Sequence, residues 1–353
     1  MRDETDSEMI TREKYTYIFD KVTNSNQIRE GVLLAENTSG DFSFCREYGG
    51  KTADSPLLMA SITKLFTTAC ILALHGQGRL SLDDKVAGYF DKDMVTGLHV
   101  YFGREYSFDL TIADLLFQVS GLPDIFTEGK DNYKNRAVHE DFSFTFDELV
   151  LSVKKLLPHF APRTSGKAFY ADINFDLLGE IIEKVTCSSL AEAYTRFIFE
   201  PLGLKNTYLP ESDADFIPNI YYKNTSLYRP EIIRSSRASG GCISTARELM
   251  IFMKAFFGGK LFDKDIPDSL PGCNRLQFSM GPVCYGCGYM RIPLRGWITF
   301  FRDRGEAAGH SGSTGSFAFY YPEKDMFFAG DLNQMGNSAL PIRFVIKLAL
   351  VTE

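Results

Sequence analysis

The chain has 353 residues, 44% of them hydrophobic, enough for a sizeable core in one large or two ordinary domains. Its net charge of −7 argues against a nucleic-acid surface, which needs clustered Lys and Arg, and no apolar run has the length needed to cross a bilayer. Seven cysteines, an odd number scattered from Cys45 to Cys287, fit reduced thiols better than a disulfide framework. The acidic start, Met1 to Asp6, does not read as a secretory leader, so the expected compartment is the cytoplasm.

In chain order, Thr11 to Val22 reads as an amphipathic helix with Tyr15, Ile18, Phe19 and Val22 on one face. Gly31 to Ala35 and Phe42 to Cys45 read as the strands of a hairpin that turns at Asn37 to Asp41. A helix is predicted from about Ser61 to His75, stopped by Gly76 and Gly78. Residues 81–240 are mainly helical patterns, including Thr111 to Phe117, Thr145 to Leu157, Phe175 to Val185 and Leu190 to Phe199. Ser244 to Phe257 is a further helix, with Ser244 or Thr245 as its N-cap and Gly258-Gly259 beyond its end. Ser316 to Tyr321 and Met326 to Gly330 form a second hairpin around Pro322 to Asp325, and Leu340 to Val351 closes the chain as a helix. This order predicts an α/β (α+β) fold in one catalytic domain over 1–353. One α/β layer comes from about 1–80 and 241–353, with a mainly helical region inserted at about 81–240.

Ser61-Ile62-Thr63-Lys64 is an S-x-x-K. A serine hydroxyl needs a base to take its proton, and positions i and i+3 share a helix face, so Lys64 can reach Ser61 directly. Ser61 at the helix start meets free N–H groups that favour developing negative charge. A lysine serves as base only if burial or a neighbouring positive charge lowers its proton affinity. A second copy, Ser152-Val153-Lys154-Lys155, sits in mid-helix, where the hydroxyl has no special exposure, and is read as chance. Gly309-His310-Ser311-Gly312-Ser313 departs from the G-x-S-x-G elbow at its fifth residue and precedes a strand, so it is not taken as the nucleophile. Cys284-Tyr285-Gly286-Cys287 lacks a second pair or nearby His and is read as buried or idle thiols, with no metal expected.

At this point the chain resembles the β-lactamase-related serine hydrolases: class C β-lactamases, penicillin-binding proteins, D-aminopeptidases and esterases. The matches run in order along the sequence. They are Met59 to Thr67, Gly78 to Val86, Thr111 to Leu116 running into Ser120-Gly121-Leu122-Pro123, Tyr170 to Asn174 with Leu177 to Glu183, Pro201 to Leu204 with Gly240 to Ala246, and His310 to Gly315. The resemblance implies an antiparallel sheet flanked by helices, of β-lactamase/transpeptidase type. It also implies Ser61, Lys64 and Tyr170 as the catalytic set, with Tyr170 acting as phenolate or proton relay. The main-chain N–H groups of Ser61 and Ser313 would form the oxyanion hole, and His310, Gly312 and Asp172 would line the substrate site.

Two positions depart from the β-lactam-hydrolysing pattern. Asp172 stands where an asparagine would donate a hydrogen bond, which an ionised carboxylate cannot do. It is left either to pair with Lys64 or to cap the helix starting near Ile173. His310 stands where a lysine would hold a substrate carboxylate, leaving Arg302 or Arg304 as candidates to restore that charge. The expected activity is therefore hydrolysis of an ester, a small amide or D-amino-acid peptide, or a β-lactam through an acyl-serine. The alternative is a penicillin-binding or sensing protein that acylates without efficient turnover. The expected partner is a small-molecule substrate, with no cofactor, no nucleic acid and no membrane span; no feature specifies an oligomeric state.

Overall fold

The structure is a computed structural model that describes residues 6–25, 27–270, 272–299 and 301–353. Its centre is an eight-stranded antiparallel sheet. In chain order the strands are β1 (Gly31–Glu36), β2 (Ser43–Tyr48), β3 (Asn274–Arg275), β4 (Cys284–Gly286), β5 (Tyr289–Pro293), β6 (Glu306–Ser311), β7 (Ser316–Tyr321) and β8 (Met326–Asp331). Across the sheet they run β2-β1-β8-β7-β6-β5-β4-β3, so both ends of the chain meet where β1 pairs with β8, Leu34 opposite Ala329.

Five helices cover the sheet or build the cleft beside it: α1 (Asp6–Thr23), α2 (Thr63–Gly76), α3 (Ile173–Thr186), α4 (Ala246–Phe257) and α5 (Leu340–Val351). α4 packs on β1, β7 and β8, while α5 packs on β6, β7 and β8 and against α1. With helices against it, every residue of β8 is buried and β1 is buried as far as Ala35, which is why both read as unbroken apolar runs. β2 lies at the edge and exposes Arg46 and Glu47, charges that discourage pairing with another chain. Lys51, just past β2, places its Nζ 2.6 Å from Asp331 and 2.9 Å from Glu30, tying that edge to the end of β8.

The structure adds four strands, β3 to β6, to the two hairpins read from sequence. Glu306-Ala307-Ala308-Gly309 has little intrinsic preference for a strand, and its pairing with β5 and β7 makes it one. The helix expected over 145–157 is Phe146–Val153, closed at its start by a capping box between Thr145 and Glu148. It ends at Val153, so the second S-x-x-K, Ser152 to Lys155, runs off the helix. Leu190–Tyr194 continues as a π-helical turn, Thr195–Phe199. Among the described residues no helix is long and apolar enough to cross a membrane.

α2 is buried on every side from Thr63 to Leu74. Phe66 meets Phe252 of α4 with ring centroids 4.5 Å apart. Gly179 of α3 is a close-approach position: a Cβ there would lie 2.4 Å from Ala238 Cβ. That approach brings the turn of residues 237–240 against α2 as well, where Thr67 Oγ1 donates to the Ala238 carbonyl at 2.8 Å. α2, α3 and this turn together enclose Lys64.

Candidate active site

Ser61 lies in a single 3-10 turn, Ala60–Ile62, that leads into α2. Ala60 before it has φ +45, a left-handed conformation that costs free energy in a residue with a Cβ. The turn is fixed from two sides. Met59 N donates to the Cys242 carbonyl at 2.9 Å, and the Met59 carbonyl accepts from Ser316 Oγ at 2.9 Å. Lys64 is wholly buried, and its Nζ is 3.2 Å from Ser61 Oγ, 2.6 Å from the Ser239 carbonyl and 2.7 Å from Asp172 Oδ1. Asp172 stands at the N-cap position of α3 and makes no capping bond; its carboxylate faces Lys64 instead.

Tyr170 borders the same group. Lys64 Nζ sits 5.1 Å from its ring centroid, and its hydroxyl is buried with no close hydrogen-bond partner. Burial, then the charge of Asp172, hold the phenol well above its ordinary pKa, while an interaction with Ser61 acts the other way. Of the two forms open to it from sequence, the neutral phenol is the one this environment favours.

Ser61, Tyr170, Asp172, Ser311, Gly312 and Ser313 line one cleft of about 320 Å³. Gly312 is where the end of β6 touches the turn that carries Ser61: a Cβ there would lie 2.6 Å from the Met59 carbonyl and 3.0 Å from Ala60 Cβ. The residues on either side of that contact are Ser61 and Ser313.

His310 lies elsewhere than expected. Its ring is fully buried, with centroid 5.9 Å from those of Tyr170 and Tyr285, and its Nδ1 is 2.9 Å from the Ser311 carbonyl. Burial and the nearby Lys64 push its pKa down to about 3, so it is a neutral group within the core and offers the cleft no positive charge. Arg302 and Arg304 do not line the cleft; Arg304 donates to the Leu350 carbonyl at 2.9 Å. The cations that do line it are Lys134 and Arg343.

Several side chains in this assembly carried no sequence signal of their own. Asp124, just beyond Ser120-Gly121-Leu122-Pro123, is buried on the cleft wall. Asp176, one turn along α3 from Asp172, lies within electrostatic reach of Lys64 and Asp172. Burial, and next the charge of Asp172, raise these two carboxyls to about 7 and about 8 respectively. Three carboxyl groups therefore lie around Lys64, and two of them hold their protons to a higher pH than an ordinary carboxyl does. Gln277, from the turn between β3 and β4, accepts the Tyr170 N–H at 3.0 Å. Among the described residues no three His, Cys, Asp or Glu side chains come together as a metal site.

Comparison with known proteins bears on the family and the fold. The beta-lactamase family pattern matches residues 19–350. Protein flp of Staphylococcus aureus (strain MW2) is 35% identical over 152 residues, 42% of this chain and 27% of that protein, so the chain spans about a quarter of that relative's length. The teichoic acid D-alanine hydrolase of Staphylococcus aureus is 25% identical over 345 residues, 94% of this chain and 77% of that one. Among solved structures, a D-stereospecific amidohydrolase from a Streptomyces species superposes with a TM-score of 0.73 at 23% identity, covering 96% of this chain and 98% of its own.

Proposed function

Because this chain belongs to the beta-lactamase family, we propose that it is a serine hydrolase working through an acyl-Ser61 intermediate on a small ester or amide, with D-aminoacyl compounds as the first class to test. The observation that carries the reading is the contact of Ser61 Oγ with Lys64 Nζ at 3.2 Å, with Asp172 2.7 Å behind the lysine, at the floor of an open cleft.

Ser61 Oγ attacks the carbonyl carbon while its proton passes to Lys64, which hands one of its own to Asp172. The carbonyl oxygen, now an oxyanion, is held by the main-chain N–H groups of Ser61 and Ser313. Collapse breaks the bond to the leaving group, which takes the phenolic proton of Tyr170. In the second half, water gives a proton back to Tyr170 and its oxygen to the acyl carbon. Ser61 Oγ departs with the proton stored on the Lys64–Asp172 pair, which restores the starting state.

The alternative of a protein that acylates and then stalls draws support from Tyr170. A phenol held far above its ordinary pKa is a reluctant proton donor and, once ionised, is quickly reprotonated. A screen of short-chain esters, D-alanine amides and cephalosporins, with Ser61→Ala as the blank, tests both. Steady turnover lost in Ser61→Ala supports the hydrolase, and a single burst of product with no later rate supports the acylating form. Turnover that survives in Ser61→Ala contradicts both.

A further inference from the structure

The segment that carries the phenol and the carboxylate is held in an unusual way. Three consecutive main-chain N–H groups each donate to a side chain from a different part of the chain. Tyr170 N donates to Gln277 Oε1 at 3.0 Å, Ala171 N to Gln118 Oε1 at 3.0 Å, and Asp172 N to Asp124 Oδ1 at 3.2 Å. The segment lies before the first full turn of α3, so its own helix cannot satisfy these donors, and buried N–H groups left alone are costly. Two of the three acceptors are neutral amides that would serve this purpose at any pH. The third is a carboxyl group.

We propose that Asp124 is a positioning residue for the acyl transfer: through the main chain of Asp172 it holds that carboxylate on Lys64, and its own charge adjusts how strongly the Ser61–Lys64–Tyr170 group takes up a proton. This rests on the hydrolase reading above. The rest of the Asp124 environment fits the role. Thr127 donates to Oδ2 at 2.5 Å, and the Asp124 N–H is taken by Glu128 Oε2 at 2.7 Å, so the side chain is fixed from its own turn. Glu128 is engaged in turn by His159 Nε2 at 2.9 Å. From the elements packed against it, Asp124 meets the charges of Asp172 and Lys64, and it acts on both Tyr170 and Asp176. Lys134 lines the same cleft without an ion pair among the described residues. Burial is the main cause of the raised Asp124 pKa of about 7. The group therefore ionises within the working range of an enzyme, and the new negative charge raises the proton affinity of its neighbours.

As Asp124 loses its proton, the neighbouring groups become better acceptors for the Ser61 proton, so acylation speeds up as pH rises through about 7. The experiment measures the pH profile of kcat/KM for a neutral short-chain ester, together with the rate of Ser61 labelling by a neutral fluorophosphonate, in wild type, Asp124→Asn and Asp124→Ala. Asparagine keeps an acceptor oxygen for Asp172 N and removes the charge. Its profile loses the rising limb near pH 7 and lies about tenfold below the wild-type plateau, the effect of roughly one unit of proton affinity. Alanine removes the acceptor as well and lowers kcat about tenfold further at every pH, with KM changed less than about threefold. A limb belonging to Asp176 is recognised by its higher midpoint and persists in Asp124→Asn. An unchanged limb near pH 7 in Asp124→Asn overturns the proposal, as does Asp124→Ala matching Asp124→Asn; if the alanine variant fails to fold, the asparagine profile alone decides. A wild-type Ser61 that neither turns over ester nor takes up the fluorophosphonate overturns the hydrolase reading, and this inference with it.

Discussion

Gly312→Ala probes the contact on which the proposed oxyanion stabilisation depends. The added Cβ would lie 2.1 Å from Ser316 Oγ, 2.6 Å from the Met59 carbonyl oxygen and 3.0 Å from Ala60 Cβ. Ser316 can rotate only by giving up its bond to that same carbonyl, and the other two atoms belong to the turn that carries Ser61. Restoring an ordinary contact of about 3.4 Å with the carbonyl requires the end of β6 and the turn to separate by about 0.8 Å. Ser61 and Ser313 sit on opposite sides of that gap, so their N–H groups move apart by a similar amount. A misplacement of about 1 Å at reacting groups costs on the order of 100-fold in rate, or about 2.7 kcal/mol in the barrier. Overpacking adds about 1–3 kcal/mol of lost stability. The assay is kcat/KM on a short-chain ester beside the rate of Ser61 labelling, with near-ultraviolet circular dichroism reporting the fold. Gly88→Ala, at a glycine with nothing within 4 Å, is the control and remains at wild-type activity. A Gly312→Ala protein within about threefold of wild type would refute the reasoning.

Asp172→Asn removes the carboxylate partner of the buried Lys64 and is expected to lower kcat/KM by about 100-fold and stability by about 2 kcal/mol, read by ester kinetics and urea unfolding; unchanged kinetics contradict its place in the relay. Lys51→Met strands the buried carboxylate of Asp331 and is expected to cost about 3–5 kcal/mol in urea unfolding, whereas a loss below about 1 kcal/mol would show that the ion cluster does not hold this edge. Asp176 has a folded-state pKa raised to about 8, above its unfolded value, so its neutral form is favoured in the native protein. Its contribution to stability is therefore full below the ordinary carboxyl pKa and is lost as pH rises through about 8. Asp176→Asn removes that loss, so its melting temperature gains on wild type between about pH 4 and 8, and parallel melting curves across that range contradict the sign.

Much of the site was legible because its chemistry is local in sequence. The Ser61–Lys64 spacing becomes a contact through one helical turn, and the hairpin around Pro322 to Asp325 needed only its turn residues. β6 was not legible in the same way, since its alanines and glycine pair with neighbours that arrive from elsewhere in the chain. The placement of His310 shows the limit of position-by-position reading. Its neighbours Ser311 and Gly312 face the cleft, and the imidazole turns under Tyr170 and Tyr285, which only the packing of β6 against α2 decides. Asp124 and Gln277 could not be singled out from sequence, because each acts through a main-chain N–H of residues 170–172, 48 and 107 positions away respectively.

The most direct test of the proposed chemistry is to treat the protein with a fluorophosphonate, digest it and locate the modified residue by mass spectrometry. The arrangement around Lys64 predicts one stoichiometric adduct, on the peptide containing Ser61, formed much more slowly when Lys64 is replaced by methionine. An adduct on any other serine, or a Ser61 adduct that forms equally fast without the lysine, contradicts it.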